Sequence, residues 1–197
     1  MTDDGVGRLL VASLHQSISD VVPTRLEYYE HWLSPMGLRE GRSGRAPLGA
    51  VLSFLRQEGE ATYTTVMTLA GQHAAEWRHA DGGVGRRAAA WMPKRLRRGS
   101  ALREVKALLR ATYQPLVVTT ALKRDTGTVT LDGSVFCALR EPWPWPTCAF
   151  AASAVTRHLE LHGLDATVAI DSCRALAGSG TCRLLVHFDR PSDEVAA

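Results

Sequence analysis

Apolar positions in the first half of the chain recur at helical spacing. Leu9, Leu10, Leu14 and Ile18 mark a stripe over residues 6–20. Pro23 opens a second helix through Leu26, Tyr29 and Leu33, which Pro35 and Gly37 end. Residues 39–46 are a polar, glycine-containing loop. After Pro47, Leu48, Val51, Leu52 and Leu55 follow the i, i+3, i+4, i+7 rule up to Gly59. Across 60–79, Tyr63, Val66, Met67, Ala70 and Ala74 share one side. Gly71 weakens that helix, which points to a close backbone approach there. Gly82-Gly83 breaks the pattern, and Pro93 argues against one helix across 84–110. Ser100 reads as the N-cap of a last helix bearing Leu102, Val105, Leu108 and Leu109.

The second half changes period. Leu116–Leu122 and Thr128–Leu131 are rich in β-formers, with Asp125-Thr126-Gly127 as the turn between them. Strands are also expected at 164–171 and 182–188. A helix over 148–162 crosses between the second and third strands. The expected fold is α+β in a single domain over 1–197. A helical layer (1–113) packs on a mostly antiparallel sheet plus one helix (114–190).

Composition narrows the class. With 197 residues and 45% apolar content the chain can bury a real core. No apolar run approaches the length of a membrane span. The acidic start, MTDDGVGR, does not read as a secretory signal, so a cytoplasmic location is expected. In that reducing compartment four cysteines are thiols or metal ligands before they are disulfides. The net charge of +3 is uneven: residues 84–110 hold nine basic side chains and one acid, which leaves the remainder acidic. Such a stretch suits an acidic protein or nucleic acid, or is simply a solvated helix face.

The chemistry concentrates between Val135 and Phe188. Zn²⁺ favours four ligands drawn from Cys, His and carboxylate. Cys148, Asp171, Cys173 and Cys182 supply four if the start of the 148–162 helix lies beside the hairpin of the last two strands. Strand parity opposes this: Asp171 and Cys173 point away from Val168 and Ile170, whereas Cys182 points with Leu184, Val186 and Phe188. Near the hairpin tip, twist or a bulge can repair it. The alternative is buried thiols acting as small hydrophobes. Cys137 and Cys173 could each serve as a nucleophile, but the sequence places no base beside either.

On the 148–162 helix, Phe150, Ala151, Ala154, Val155, Leu159 and Leu161 form an apolar arc that includes His158 and His162. Buried imidazoles need partners. They present polar atoms to a ligand or bind metal as an i, i+4 pair, or they are satisfied within an ordinary core. A ligand cavity is expected at His158, His162, Phe150, Val155, Tyr63 and Trp143. No hydrolase elbow, P-loop, HExxH or complete dinucleotide fingerprint occurs, so no nucleotide cofactor is indicated.

The stretch Val135–Phe188 resembles the 4-vinyl reductase, or hydrocarbon-binding, domain family. The likeness lies in Cys148-Ala-Phe150 opening a helix, then Asp171 and Cys173, a small glycine-bearing turn, and Cys182 before an apolar strand. The resemblance implies a small apolar or aromatic ligand bound by a sensor or carrier domain, often a homodimer. It also implies structural zinc on three Cys and one acid, by position Cys148, Asp171, Cys173 and Cys182. Two other readings are an enzyme or accessory protein in tetrapyrrole vinyl reduction, and a nucleic-acid-binding regulator using 84–110.

Overall fold

The computed structural model describes residues 5–27, 45–81, 93–138 and 143–188. The expected helix beyond Leu26, the Gly82-Gly83 break and the start of the basic stretch lie outside them. Among the described residues, four long helices come first: α1 (Arg8–Val21), α2 (Arg45–Gln57), α3 (Glu60–Asp81) and α4 (Lys94–Thr112). Strands β1 (Val117–Lys123) and β2 (Thr126–Asp132) follow, then α5 (Ala149–Leu161), β3 (Ala166–Ser172), the short α6 (Arg174–Ala177) and β4 (Cys182–Phe188). The fold is α+β, as the periodicity predicts.

All neighbouring strands are antiparallel, in the order β1-β2-β4-β3. β2 and β3 therefore run the same way with β4 between them, and α5 is the crossover that joins them. Cys182, Leu184, Val186 and Phe188 of β4, with Val129 and Leu131 of β2, form the buried sheet face. Leu10, Leu14, Ile18, Met67, Val105, Leu108 and Phe150 of the helices are buried in the same core.

Gly71 is where α3 and α5 cross. A Cβ on it would stand 2.4 Å from the Phe150 carbonyl oxygen and 2.8 Å from the Ala154 nitrogen, so only glycine allows this approach. Ser153 Oγ donates to the Thr68 carbonyl at 2.7 Å, and Arg157 Nε to Glu76 at 2.8 Å, along the same seam.

Two local expectations are corrected. Ser100 is not an N-cap: α4 runs from Lys94 with Pro93 at its N-cap, and Ser100 lies inside it, its hydroxyl 3.5 Å from Glu104. The β1–β2 turn is Arg124-Asp125, with Arg124 at φ 56°, not Asp125-Thr126-Gly127. Gly127 belongs to β2, where a Cβ would crowd Leu102 at 3.1 Å and Val186 at 3.2 Å. That glycine serves helix–sheet packing rather than a turn.

The basic stretch is partly committed to the fold. Arg98 is buried, pairs with Asp125 at 2.5 Å and lies over the Phe188 ring at 5.0 Å. No helix among the described residues is long and apolar enough to cross a membrane.

Candidate functional site

Four element ends bring four thiols together. Cys137 closes the 3-10 turn Val135–Cys137 after β2, and Cys148 is the N-cap of α5. Cys173 is the N-cap of α6, and Cys182 is the first residue of β4. All four are buried, and their sulfur atoms lie within 4.8 Å of one another. Cys137 Sγ is 3.1 Å from Cys148, 3.6 Å from Cys173 and 3.3 Å from Cys182; Cys148 to Cys173 is 3.3 Å.

Of the two ways to reconcile strand parity, twist or a bulge, the ladder contains a bulge. β3 and β4 pair in register from Ala166↔Phe188 to Ile170↔Leu184, and then Ser172 faces Arg183. Asp171 is the extra residue. The shift turns Cys173 into the core beside Cys182 and leaves Asp171 outside, ion-paired with Arg183. The sequence-based ligand set is therefore corrected at one position: Cys137, not Asp171, stands fourth. The missed signal was chemical, since a borderline-soft ion prefers a thiolate to a carboxylate.

The quartet is electrically unequal. Hydrogen bonding from Cys137, then Cys148 and Cys182, holds the Cys173 thiol well below its usual range. Cys182 is lowered by Cys137 and Cys148. Cys148 is pushed up by its bonds to Cys137, Cys173 and Cys182 and by burial. For Cys137 the bond to Cys148 lowers it, but Cys173, Cys182 and burial carry the net shift upward. Four thiols packed this closely in a buried site suit a cation that takes their sulfurs as thiolates. The Arg174 N–H points at Cys182 Sγ from 3.4 Å, and the Thr147 hydroxyl lies 3.2 Å from Cys137 Sγ. Tyr63 donates to the Thr147 carbonyl at 3.2 Å and so braces the same loop.

These sulfurs fit zinc. Bonds of about 2.3 Å in a tetrahedron place sulfurs about 3.8 Å apart. The separations of 3.1–3.6 Å would open by about 0.2–0.7 Å on taking up the ion.

The six expected ligand-site residues do not meet in one place. Phe150 stacks on Phe136 at 4.9 Å inside the core, Tyr63 and Val155 are fully buried, and Trp143 lies under the Arg56 guanidinium. Apolar packing claims Phe150, Tyr63 and Val155 because each lies on the inner face of its helix, and Trp143 is half-buried in the loop before α5. His158 and His162 line a cavity of about 310 Å³, whose other polar walls are Arg78, His79, Asp81 and Glu104. It lies between α3, α4 and α5.

His158 is 3% exposed, and neither ring nitrogen makes a hydrogen bond; the Ala101 backbone acts on the ring without reaching bonding geometry. Burial, then His162 and His79, push its pKa down to about 3. His162 donates from Nδ1 to the His158 carbonyl at 2.8 Å, and its Nε2 faces Glu104 Oε2 at 3.0 Å.

No protein-family model and no curated protein matches this chain. Among solved structures, it is similar to an H-NOX protein from S. oneidensis, determined in the Fe(II)NO ligation state. The match covers 93% of this chain and 99% of that one, with a TM-score of 0.57 and 11% identity. The two share a fold. At that identity the neighbour's ligand chemistry does not transfer.

Proposed function

We propose that this chain is a small-molecule-binding domain of the sensor or carrier type, held together by a structural Zn²⁺ on Cys137, Cys148, Cys173 and Cys182. The thiol quartet carries the reading. Four protein ligands leave no open position, so the ion would staple the ends of β2, β3, β4 and α5 rather than catalyse. Three of the four are the cysteines implied by the resemblance to the 4-vinyl reductase family, and the fold likeness to a ligand-binding H-NOX protein agrees with it.

The ligand belongs in the cavity at His158 and His162. Its walls carry imidazole, carboxylate and guanidinium, so they suit a molecule with a polar group more than a bare hydrocarbon.

Metal analysis of protein purified without chelator tests the first half: about one zinc per chain is expected, by the logic of a four-ligand structural site. Cys137→Ser should lose it; zinc retained at full occupancy in that variant would refute the thiol centre. A thermal-shift panel of small aromatic and polar compounds tests the second half. Hits should disappear in His162→Phe, and hits indifferent to it would move the ligand site elsewhere.

A further inference from the structure

The geometry points to a second metal site, formed by Glu104, His158 and His162, that takes a first-row divalent transition ion and keeps a coordination position open to the cavity. It shares no ligand with the thiol centre, so the two assignments stand or fall separately.

Two helices build the site. His158 lies in the last turn of α5 and His162 is its C-cap, with ring centroids 4.3 Å apart. Glu104 comes from α4. One nitrogen from each ring and one carboxylate oxygen all lie within 4.8 Å of one another. Donors bound at about 2.1 Å and at right angles stand about 3.0 Å apart, close to the 3.0 Å between His162 Nε2 and Glu104 Oε2.

The supporting bonds are those a ligand set needs. His162 uses its Nδ1 proton on the His158 carbonyl, which fixes the ring and frees Nε2 as the electron-pair donor. Ser100 approaches the other carboxylate oxygen of Glu104 at 3.5 Å.

The independent observation is His158. A buried imidazole with two unbonded nitrogens is costly, and burial bars it from taking a proton as compensation. An ion accepts its lone pair directly. The surrounding charges permit this, since the carboxylates of Asp81 and Glu104 face one guanidinium, Arg78. Two imidazoles and a carboxylate suit zinc, cobalt, nickel or iron, whereas magnesium and calcium prefer oxygen ligands. Three protein ligands leave room for water or a small exogenous donor.

Cobalt(II) is the probe. Protein preloaded with one equivalent of Zn²⁺ should bind one further Co²⁺, with weak visible bands and without the near-ultraviolet thiolate charge-transfer band. Glu104→Gln, at a half-exposed position, and His162→Phe should each weaken this step about tenfold or more. His158→Phe should do the same if it folds; Glu104→Gln decides the matter if it does not. A wild type that binds no second equivalent, or variants that bind it as well as the wild type, would overturn the site. A charge-transfer band on the second equivalent would place that cobalt on sulfur and overturn it too.

Discussion

Asp171 and Cys173 are two residues apart at the end of β3, yet they end on opposite sides of the sheet. The carboxylate pairs with Arg183 toward solvent, and the thiol is buried among three others. On a regular strand they would share a face. One extra residue in the ladder separates them, and it decides which atoms can meet a metal.

The first prediction follows from that separation. Asp171→Asn should leave the zinc content unchanged and shift stability by about 1 kcal/mol or less, because the ion pair it breaks is largely solvent-exposed. Cys137→Ser should abolish zinc binding and lower stability by several kcal/mol, on the order expected when a structural metal is lost. Metal analysis beside a denaturant titration separates the two cases. Equal zinc in both variants would contradict the four-thiol assignment.

Gly71→Ala should be among the more damaging methyl additions in the chain. Its new Cβ meets backbone atoms of α5, which have no rotamer to yield with. A loss of about 1–3 kcal/mol or more is expected, against the slight gain alanine gives in an open helix. The same change at Gly49, which has open space around it, is the control in a melting experiment.

Acid should destabilise the domain through His158. Its folded pKa of about 3 lies below the ordinary 6.5. Between these values the unfolded chain binds a proton that the folded chain refuses. The stability linked to this ring is therefore complete above about pH 6.5 and lost progressively as the pH falls toward 3, a change on the order of a few kcal/mol. With no divalent cation added, the stability of His158→Phe should vary less with pH over that window than that of the wild type. Parallel curves would show that the folded chain protonates this ring as readily as the unfolded one.

Arg98→Ala should act on the fold rather than on any partner. The side chain is buried, paired with Asp125 and stacked over Phe188. Its truncation removes packing as well as charge, for an expected loss of about 1–3 kcal/mol. Arg103→Ala, on the exposed side of α4, should leave stability nearly unchanged and isolates any role of the basic stretch in binding polyanions. Salt-dependent nucleic-acid binding weakened by Arg103→Ala would revive the nucleic-acid reading.

Periodicity was enough to read the α+β order, the placement of α5 between the second and third strands, and the inward face of β4 that carries Cys182. Gly71 announced its helix crossing because glycine in a helix centre has few other uses. Strand periodicity shows that Cys173 and Cys182 need an irregularity near the hairpin tip to share a face, but not that Asp171 is the extra residue, which depends on how two strands pair rather than on either alone. The turn at Arg124-Asp125 escaped for a related reason. Gly127 looked like turn chemistry, but its missing side chain makes room for Leu102 on a helix more than twenty positions earlier. Cys137 was passed over as a ligand because convergence on Cys148 depends on the loop between them, whose path carries no periodic signal. The ligand-site aromatics failed for the opposite reason: an inward-facing aromatic is usually core, and Phe150 and Tyr63 are.

The position of β4 also governs the order in which the domain can be made. It lies between β2 and β3 but is translated after both. While a ribosome is still synthesising the chain, β2 and β3 have no common neighbour, and each presents an edge of unsatisfied amides and carbonyls. Cys182, the last thiol, arrives with the first residue of that same strand. Sheet closure and completion of the thiol cluster are therefore a single late event, and an arrested nascent chain lacking residues 182–188 would hold three thiols and an open sheet, a species for chaperones rather than a smaller working domain.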